Sequence, residues 1–254
     1  MSTTPFVLGI DLGTTGVRIA IINKEERLLY TASKTYPKGL EASEDWQSCC
    51  ETLIQEIPSK IKNKLTACAV AGTSGTILPC NYTGKPLDKA LPYYLACPEQ
   101  IQNLSILFPN GGTGASLHSS LARALRLIAK HGNKLILRHQ ADWITGWLLN
   151  NWEYGEESNN LRLGWDINKK SWPITFRTHE WVNALPKVIA SGSFLSEISN
   201  NISKKLNLPK NLKVIAGTTD SNAGVLATFS KNNEGITILG STIVIKQFVD
   251  KPIK

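Results

Sequence analysis

The stretch from Phe6 to Ile22, FVLGIDLGTTGVRIAII, constrains the fold more than any other part of the chain. An apolar run, Phe6, Val7, Leu8 and Ile10, leads to Asp11. Gly13-Thr14-Thr15-Gly16 follows, then Val17, Arg18 and a second apolar run, Ile19 to Ile22. Two apolar runs joined by glycine and threonine predict a β-hairpin. Glycine in a tight turn lets backbone N–H groups approach an anion closely, and the two threonines add hydroxyl donors at the same place. Asp11 closes the first strand and is acceptor-only when ionised. It would repel a phosphate in that turn unless a cation stood between them, and hard oxygen ligands beside phosphate suit Mg²⁺. The stretch reads as a site for a metal-bound nucleotide or as an ordinary hairpin with a Gly-rich turn, and spacing alone leaves both open. It is not a P-loop, because no Gly-Lys-Ser/Thr follows. It is not a dinucleotide fingerprint, because a strand rather than a helix follows the glycines.

A chain of 254 residues, 42% hydrophobic and 19% charged, can bury the core of one large domain or two small ones. No uninterrupted apolar run approaches the roughly 18 residues of a membrane span. The N-terminal MSTTPFVLGIDLG lacks a basic region followed by a long apolar stretch, so no signal peptide is expected. The five cysteines, Cys49, Cys50, Cys68, Cys80 and Cys97, form no metal-ligand spacing and read as reduced thiols of a cytoplasmic protein. The net charge of +8 comes from scattered lysines with no Arg/Lys stripe among aromatics. This predicts a solvated basic surface rather than a nucleic-acid face.

Leu28 to Ser33 predicts a third strand, making an antiparallel meander with the hairpin. Ser43 is a candidate N-cap for a helix whose Trp46, Leu53, Ile54 and Ile57 share one face. Trp46 is best read as a core anchor. Leu65 to Ala71 predicts a strand ending in Gly72-Thr73-Ser74-Gly75-Thr76. Ligands bind beyond the carboxyl ends of strands in open α/β sheets, so Ser74 is a candidate contact for a hydroxylated ligand, with a plain loop exit as the alternative. Ile101 to Gly114 reads as a loop. Ser116 to His131 and Leu135 to Asn150 read as helices, as does Phe194 to Leu206. Asp142 is assigned a structural role, and His139 has no identifiable carboxylate partner.

A second anchor lies far downstream. Val214 to Gly217 predicts a short buried strand, followed by Thr218-Thr219-Asp220-Ser221-Asn222-Ala223-Gly224. Asp220 stands at the strand exit, either as a helix cap or as a general base placed to accept a hydroxyl proton. Ile236 to Leu239, Gly240-Ser241-Thr242 and Ile243 to Phe248 repeat the hairpin pattern, with either a phosphate contact or a plain tight turn at the tip.

Together these motifs resemble, in order, those of the FGGY sugar kinases of the actin-like ATPase superfamily. The first phosphate loop of that superfamily has the Asp-x-Gly-Thr-Thr form seen at Asp11 to Thr15. AVAGTSGTILPCNYTGKPLDKALPYY is similar to the FGGY stretch that meets the sugar, and AGTTDSNAGVLATF to the segment that carries the catalytic Asp. Asn159-Asn160 and Leu163-Gly164-Trp165-Asp166 resemble the cyanobacterial and plant branch likened to xylulose and ribulose kinases. That resemblance implies an α/β fold, an RNase H-like mixed sheet flanked by helices, with residues 1–254 forming the N-terminal domain. It implies ATP and Mg²⁺ as cofactors and a small sugar, a ketopentose, as substrate, with no nucleic acid or membrane partner. Asp220 would be the base. Asp11 would hold the metal and, with Ser74 and Asp220, line the substrate site. Gly13, Thr14, Thr15, Arg18, Gly240, Ser241 and Thr242 would contact phosphate. The family's second, adenosine-holding domain is not within these residues and would come from a further domain or a partner chain. The family's Asp-x-Arg is also missing: Ala96-Cys97-Pro98-Glu99 stands in its place. A non-catalytic sugar-binding or regulatory domain is the alternative.

Overall fold

Alternation of buried with more exposed side chains builds the first two strands of the computed structural model, which describes residues 5–239 and 243–249. The chain runs β1 (Phe6–Leu12), β2 (Gly16–Asn23), β3 (Leu28–Thr35), α1 (Ser43–Glu56), α2 (Ser59–Lys62), β4 (Leu65–Gly72) and β5 (Ile77–Cys80). It continues with α3 (Ile101–Leu107), α4 (Ser120–His131), β6 (Ile136–His139), α5 (Gln140–Leu149), β7 (Tyr154–Glu156), α6 (Glu157–Asn160), β8 (Lys187–Ile189) and β9 (Phe194–Glu197). It ends with α7 (Asn200–Leu206), β10 (Lys213–Thr219), α8 (Asp220–Leu226), β11 (Gly235–Leu239) and β12 (Ile243–Gln247).

Six strands form one mixed sheet in the order β3-β2-β1-β4-β10-β9. The meander β1-β2-β3 is antiparallel, whereas β1, β4 and β10 run parallel to one another. Their carboxyl ends therefore open on the same edge of the sheet. Leu8, Ile10 and Leu12 of β1 and Val17, Ile19 and Ile21 of β2 are buried on one face. Trp46 of α1 is fully buried beside them, its indole N–H donating to the Leu40 carbonyl at 2.9 Å and its ring meeting Trp143 edge-on. The core-anchor reading of Trp46 holds. A second apolar cluster lies apart, where Leu121 and Leu125 of α4 meet Ile77, Leu137, Phe176 and Trp181. All five cysteines are buried and unpaired.

Three expected elements differ. Leu135 to Asn150 is not one helix, because Ile136–His139 pairs antiparallel with β5 and α5 begins only at Gln140. A short apolar run satisfies strand and helix patterns equally, and here the β5 edge decides. Phe194 to Leu206 likewise divides. Phe194 to Glu197 completes the edge of the main sheet against β10, and Ser199 caps α7 by accepting from the Ile202 N–H. Within the expected loop 101–114, Ile101–Leu107 is helical and buries Leu104 and Leu107. Two smaller differences concern helix starts. Ser43 is the first residue of α1 and makes no cap bond, and α4 starts at Ser120 with Ser119 as its cap.

Candidate functional site

Sheet register sets the site. Asp11, Ala71 and Thr218 lie side by side on β1, β4 and β10, and Leu12, Gly72 and Thr219 follow in the next row. Asp220 is the next residue after β10. Two strand spacings place its strand about 10 Å from that of Asp11. The two carboxylates thus flank the exit of β4, from which the Thr73–Gly75 turn emerges.

Asp11 is half-buried, and its Oδ1 is buried with no hydrogen-bond partner among the described residues. Burial pushes its carboxyl above the usual range, and Arg18 opposes the shift. Arg18 lies directly across the hairpin, Nη1 3.7 Å from Asp11 Oδ2, with most of its side chain in solvent. The turn between them closes through the Gly13 N–H, which donates to the Gly16 carbonyl at 2.9 Å. That N–H is therefore engaged within the turn, while Thr14 and Thr15 stand exposed at its tip. Gly16 is required by packing, since a Cβ there would lie 2.3 Å from the Lys34 carbonyl oxygen.

Asp220 opens α8 but does not cap it. Thr219 does, accepting from the Asn222 N–H. The Asp220 carboxylate accepts instead from the Ser221 N–H at 2.6 Å and faces the Ser74 N–H. Burial raises its carboxyl, and the Asp11 charge adds to the rise. The two N–H donors and Lys246 act against it. Lys246, on β12, donates to Asn222 Oδ1 at 2.6 Å, so the hairpin β11–β12 reaches back to α8. Gly240, Ser241 and Thr242, expected to contact phosphate, lie outside the described residues.

Sequence reading missed four side chains that organise this edge. Gln140 is fully buried. Its Oε1 accepts from both the N–H and the hydroxyl of Thr73, at 3.0 and 2.7 Å, and its Nε2 donates to the Tyr36 hydroxyl at 3.3 Å. The Tyr36 N–H in turn donates to the Thr15 carbonyl, and burial drives its phenol well up, so Tyr36 stays neutral. Arg123 grips the Gly75 carbonyl, and Lys246 faces Asp220. Strand-end aspartates can be found from local pattern. These four act over tens of residues of sequence, and no local signal marks them.

The polar stretch at Glu156 to Asn160 is a structural network rather than an open ligand surface. Glu156 accepts from the Ser158 and Asn159 N–H groups and from the Ser191 hydroxyl, and burial raises its carboxyl. Asp142 accepts from the Glu156 N–H at 2.9 Å, which confirms its structural role. His139 does have a carboxylate neighbour, contrary to the sequence reading: its Nδ1 lies 3.6 Å from Asp142 Oδ2, with the ring buried. Among the described residues, no cluster of three or more His, Cys, Asp or Glu side chains could hold a metal. No helix there is long and apolar enough to cross a membrane.

The mixed sheet with its flanking helices is a fold that this chain shares with solved sugar kinases. No family model matches the chain. It is 24% identical over 273 aligned residues to the xylulose kinase of Lactococcus lactis subsp. lactis (strain IL1403), covering 97% of this chain and 54% of that protein. It superposes on the ligand-bound xylulose kinase of Lactobacillus acidophilus with a TM-score of 0.84 at 15% identity, over 98% of this chain and 55% of the other. For the gluconate kinase of Lactobacillus acidophilus the TM-score is 0.85 at 15% identity, again over 98% and 55%. For the Plasmodium falciparum glycerol kinase with ADP it is 0.79 at 14% identity, over 95% and 54%. The resemblance to FGGY-type sugar kinases stands, and the chain spans about half the length of this Lactococcus relative.

Proposed function

We propose that this chain is the sugar- and phosphate-binding lobe of an ATP-dependent sugar kinase acting on a ketopentose such as xylulose or ribulose. The observation that carries the reading is the pair Asp11 and Asp220. They stand at the exits of two parallel strands of one sheet, and each carboxyl is raised by burial. Asp220 would accept the proton of a sugar hydroxyl as its oxygen forms a bond to the γ-phosphorus. The bond from that phosphorus to the β–γ bridging oxygen breaks, and ADP leaves. A carboxyl raised toward neutrality is a better base than an ordinary one. Ser74, on the turn between the two aspartates, would hold the sugar.

Thr14 and Thr15 would meet phosphate, with the engaged Gly13 N–H shaping the turn that presents them. Arg18 would balance charge. The orphaned, buried Oδ1 of Asp11 fits a Mg²⁺ site, because Mg²⁺ needs only one or two carboxylates beside phosphate and water. When bound, the ion would neutralise charge on the phosphates.

Apolar surface gathers beyond this edge. Leu226, Phe229, Leu239, Ile243 and Ile245 are each at least 59% exposed on α8, the segment after it and β11–β12. That concentration supports a second lobe, in a further domain or another chain, completing the nucleotide site. The Ala96-Cys97 departure favours a second reading, a sugar-binding module without turnover. ADP release from the purified chain with Mg·ATP and a panel of ketopentoses, polyols and ketohexoses separates the two. The kinase reading expects sugar-dependent turnover that Asp220→Ala abolishes. Sugar-induced thermal stabilisation without turnover selects the binding module.

A further inference from the structure

Two arginines meet at the Gly75 turn, just beyond the exit of β4. Gly75 has a φ of +94°, and a Cβ placed on it would lie 3.0 Å from Arg123 Nη2 and 3.9 Å from Arg162 Cδ. Arg123 is fully buried and spends its donors on backbone oxygens. The Gly75 carbonyl takes its Nε and Nη2, and the Leu95 and His118 carbonyls take its Nη1. Arg162 differs. It is exposed, and its guanidinium has no hydrogen-bond or ion-pair partner among the described residues. Ser74, the residue before Gly75, is half-buried with its hydroxyl likewise unbonded among those residues.

The backbone that carries Arg162 is held on both sides. Asn160 is fully buried, and its Nδ2 donates to the Glu156 carbonyl at 2.8 Å and to Asp142 Oδ2 at 3.3 Å. Leu163 is fully buried in the second apolar cluster, and the Thr113 hydroxyl donates to the Leu161 carbonyl at 2.8 Å. Helix α6 packs on β10, whose exit carries Asp220, and the turn Leu161–Leu163 packs on α4. Arg162 is thus presented where this segment crosses from β10 to α4, beside the turn that carries Ser74. Neither arginine is bonded to a carboxylate among the described residues. Two guanidiniums side by side without a counter-charge favour an oxygen-rich ligand between them and solvent. Arg126, one turn further along α4, shows the ordinary solution: it grips Glu99 with two bonds, at 2.6 and 2.8 Å.

We propose that Arg162 is a specificity-determining residue of the sugar site, its guanidinium donating to hydroxyl or carbonyl oxygens of the acceptor sugar over the Gly75 turn, next to Ser74. Arginine has five donors and no acceptor, and a sugar carbonyl oxygen is an acceptor only. A site that offers such donors loses affinity for a ligand that cannot fill them. Arg162 reads the sugar, not the nucleotide, so it governs sugar affinity and leaves Mg·ATP binding alone. The inference deepens the function proposed above and rests on the Ser74 turn as the sugar's side of the cleft.

Calorimetric titration of the full chain with D-xylulose and D-ribulose tests this without turnover, so a chain that releases no ADP still answers. Arg162→Ala is expected to weaken binding of whichever sugar the unmutated chain takes by about tenfold or more, the loss of a charge-assisted bond. Its Mg·ATP affinity and melting midpoint should be unchanged. Arg162→Lys keeps the charge but not the planar fork, and should recover part of the loss. Arg126→Ala, which breaks only the bonds to Glu99 and to the Ala96 carbonyl, should leave sugar affinity in place. Sugar affinity unmoved in folded Arg162→Ala overturns the proposal. So does a loss shared equally by Mg·ATP, and so does an unmutated chain that takes up neither sugar. ADP release judges the kinase reading separately: sugar binding that depends on Arg162 in a chain without turnover supports the inference while that reading fails.

Discussion

Gln140 and Thr73 are joined by two hydrogen bonds to one oxygen: Gln140 Oε1 takes both the Thr73 N–H, at 3.0 Å, and its hydroxyl, at 2.7 Å. The contact crosses from the first residue of α5 to the exit of β4, in a place with no access to water. It is extended at both ends. The Thr73 hydroxyl meets that of Thr76, which accepts from the Tyr93 N–H, and Gln140 Nε2 reaches Tyr36 beneath the first turn. Gln140→Leu fills the same space but leaves the Thr73 N–H buried and unpaired. The expected cost is about 2–4 kcal/mol in urea unfolding, the desolvation penalty of a stranded donor plus the lost bonds. A loss below about 1 kcal/mol would show that Thr73 finds another acceptor.

The raised carboxyls of Asp11 and Asp220 carry a thermodynamic sign. Each binds its proton more tightly in the folded chain than in the unfolded one, so the folded state holds more protons above the ordinary aspartate range. Stability is then greatest below that range and falls as pH rises through the window up to the raised folded values. At neutral pH both residues work against the fold. Asp220→Asn should therefore raise the melting midpoint at pH 7, by about 1–3 °C for a chain of this size, and under the proposed function it should also abolish phosphoryl transfer. The gain should vanish at acid pH, where the wild-type carboxyl is protonated as well. A midpoint that falls at pH 7 would show that the bond from Ser221 outweighs the burial penalty.

What the sequence made legible follows a physical division. Asp11 and Asp220 could be read because each ends an apolar run, and a strand exit is a local pattern. The meander β1-β2-β3 and strand β4 were legible for the same reason. The strands β6 and β9 were not, because the four-residue runs Ile136–His139 and Phe194–Glu197 are too short to show a period of their own and adopt the geometry of whichever edge they meet. Ser199 was the available signal at the second of these places, an N-cap residue within an assumed helix. Arg123, Gln140, Tyr36 and Lys246 lay beyond reach. Arg123 bonds a carbonyl 48 positions away, and Gln140 a threonine 67 positions away. Such partners exist only once the sheet and α4 are packed together.

Gly217 and Gly224 sit seven residues apart and should respond in opposite directions to the same substitution. Gly217 lies where the register of β10 against β4 slips, and a Cβ there would fall 1.9 Å from the Val70 carbonyl oxygen. The backbones of two adjacent strands must separate to admit it. Gly217→Ala is expected to cost about 3 kcal/mol or more and to displace Asp220, three residues on. Gly224 is helical, and a Cβ there meets nothing within 4 Å. Gly224→Ala should stabilise the chain by about 0.5–1 kcal/mol through helix propensity alone. Thermal melts of the two variants, run together, decide the matter. A mild Gly217→Ala would mean that β10 shifts along β4 without strain.

Asp11 and Arg18 separate charge balance from metal binding. The pair is 3.7 Å apart, with the arginine largely in solvent, so its contribution to stability is small. Arg18→Ala should change unfolding free energy by less than about 0.5 kcal/mol. It removes the group that opposes the burial shift on Asp11, so the Asp11 carboxyl should rise further. If Asp11 receives Mg²⁺, that rise makes a pH-dependent loss: Mg·ATP binding by Arg18→Ala should weaken as pH falls and recover as pH increases. Asp11→Ala should weaken it at every pH, because the buried Oδ1 is gone. Calorimetric titration of Mg·ATP at several pH values distinguishes the two variants. Metal-dependent binding unchanged in Asp11→Ala would remove Asp11 from the phosphate end of the cleft, leaving Thr14 and Thr15 to hold it through the turn alone.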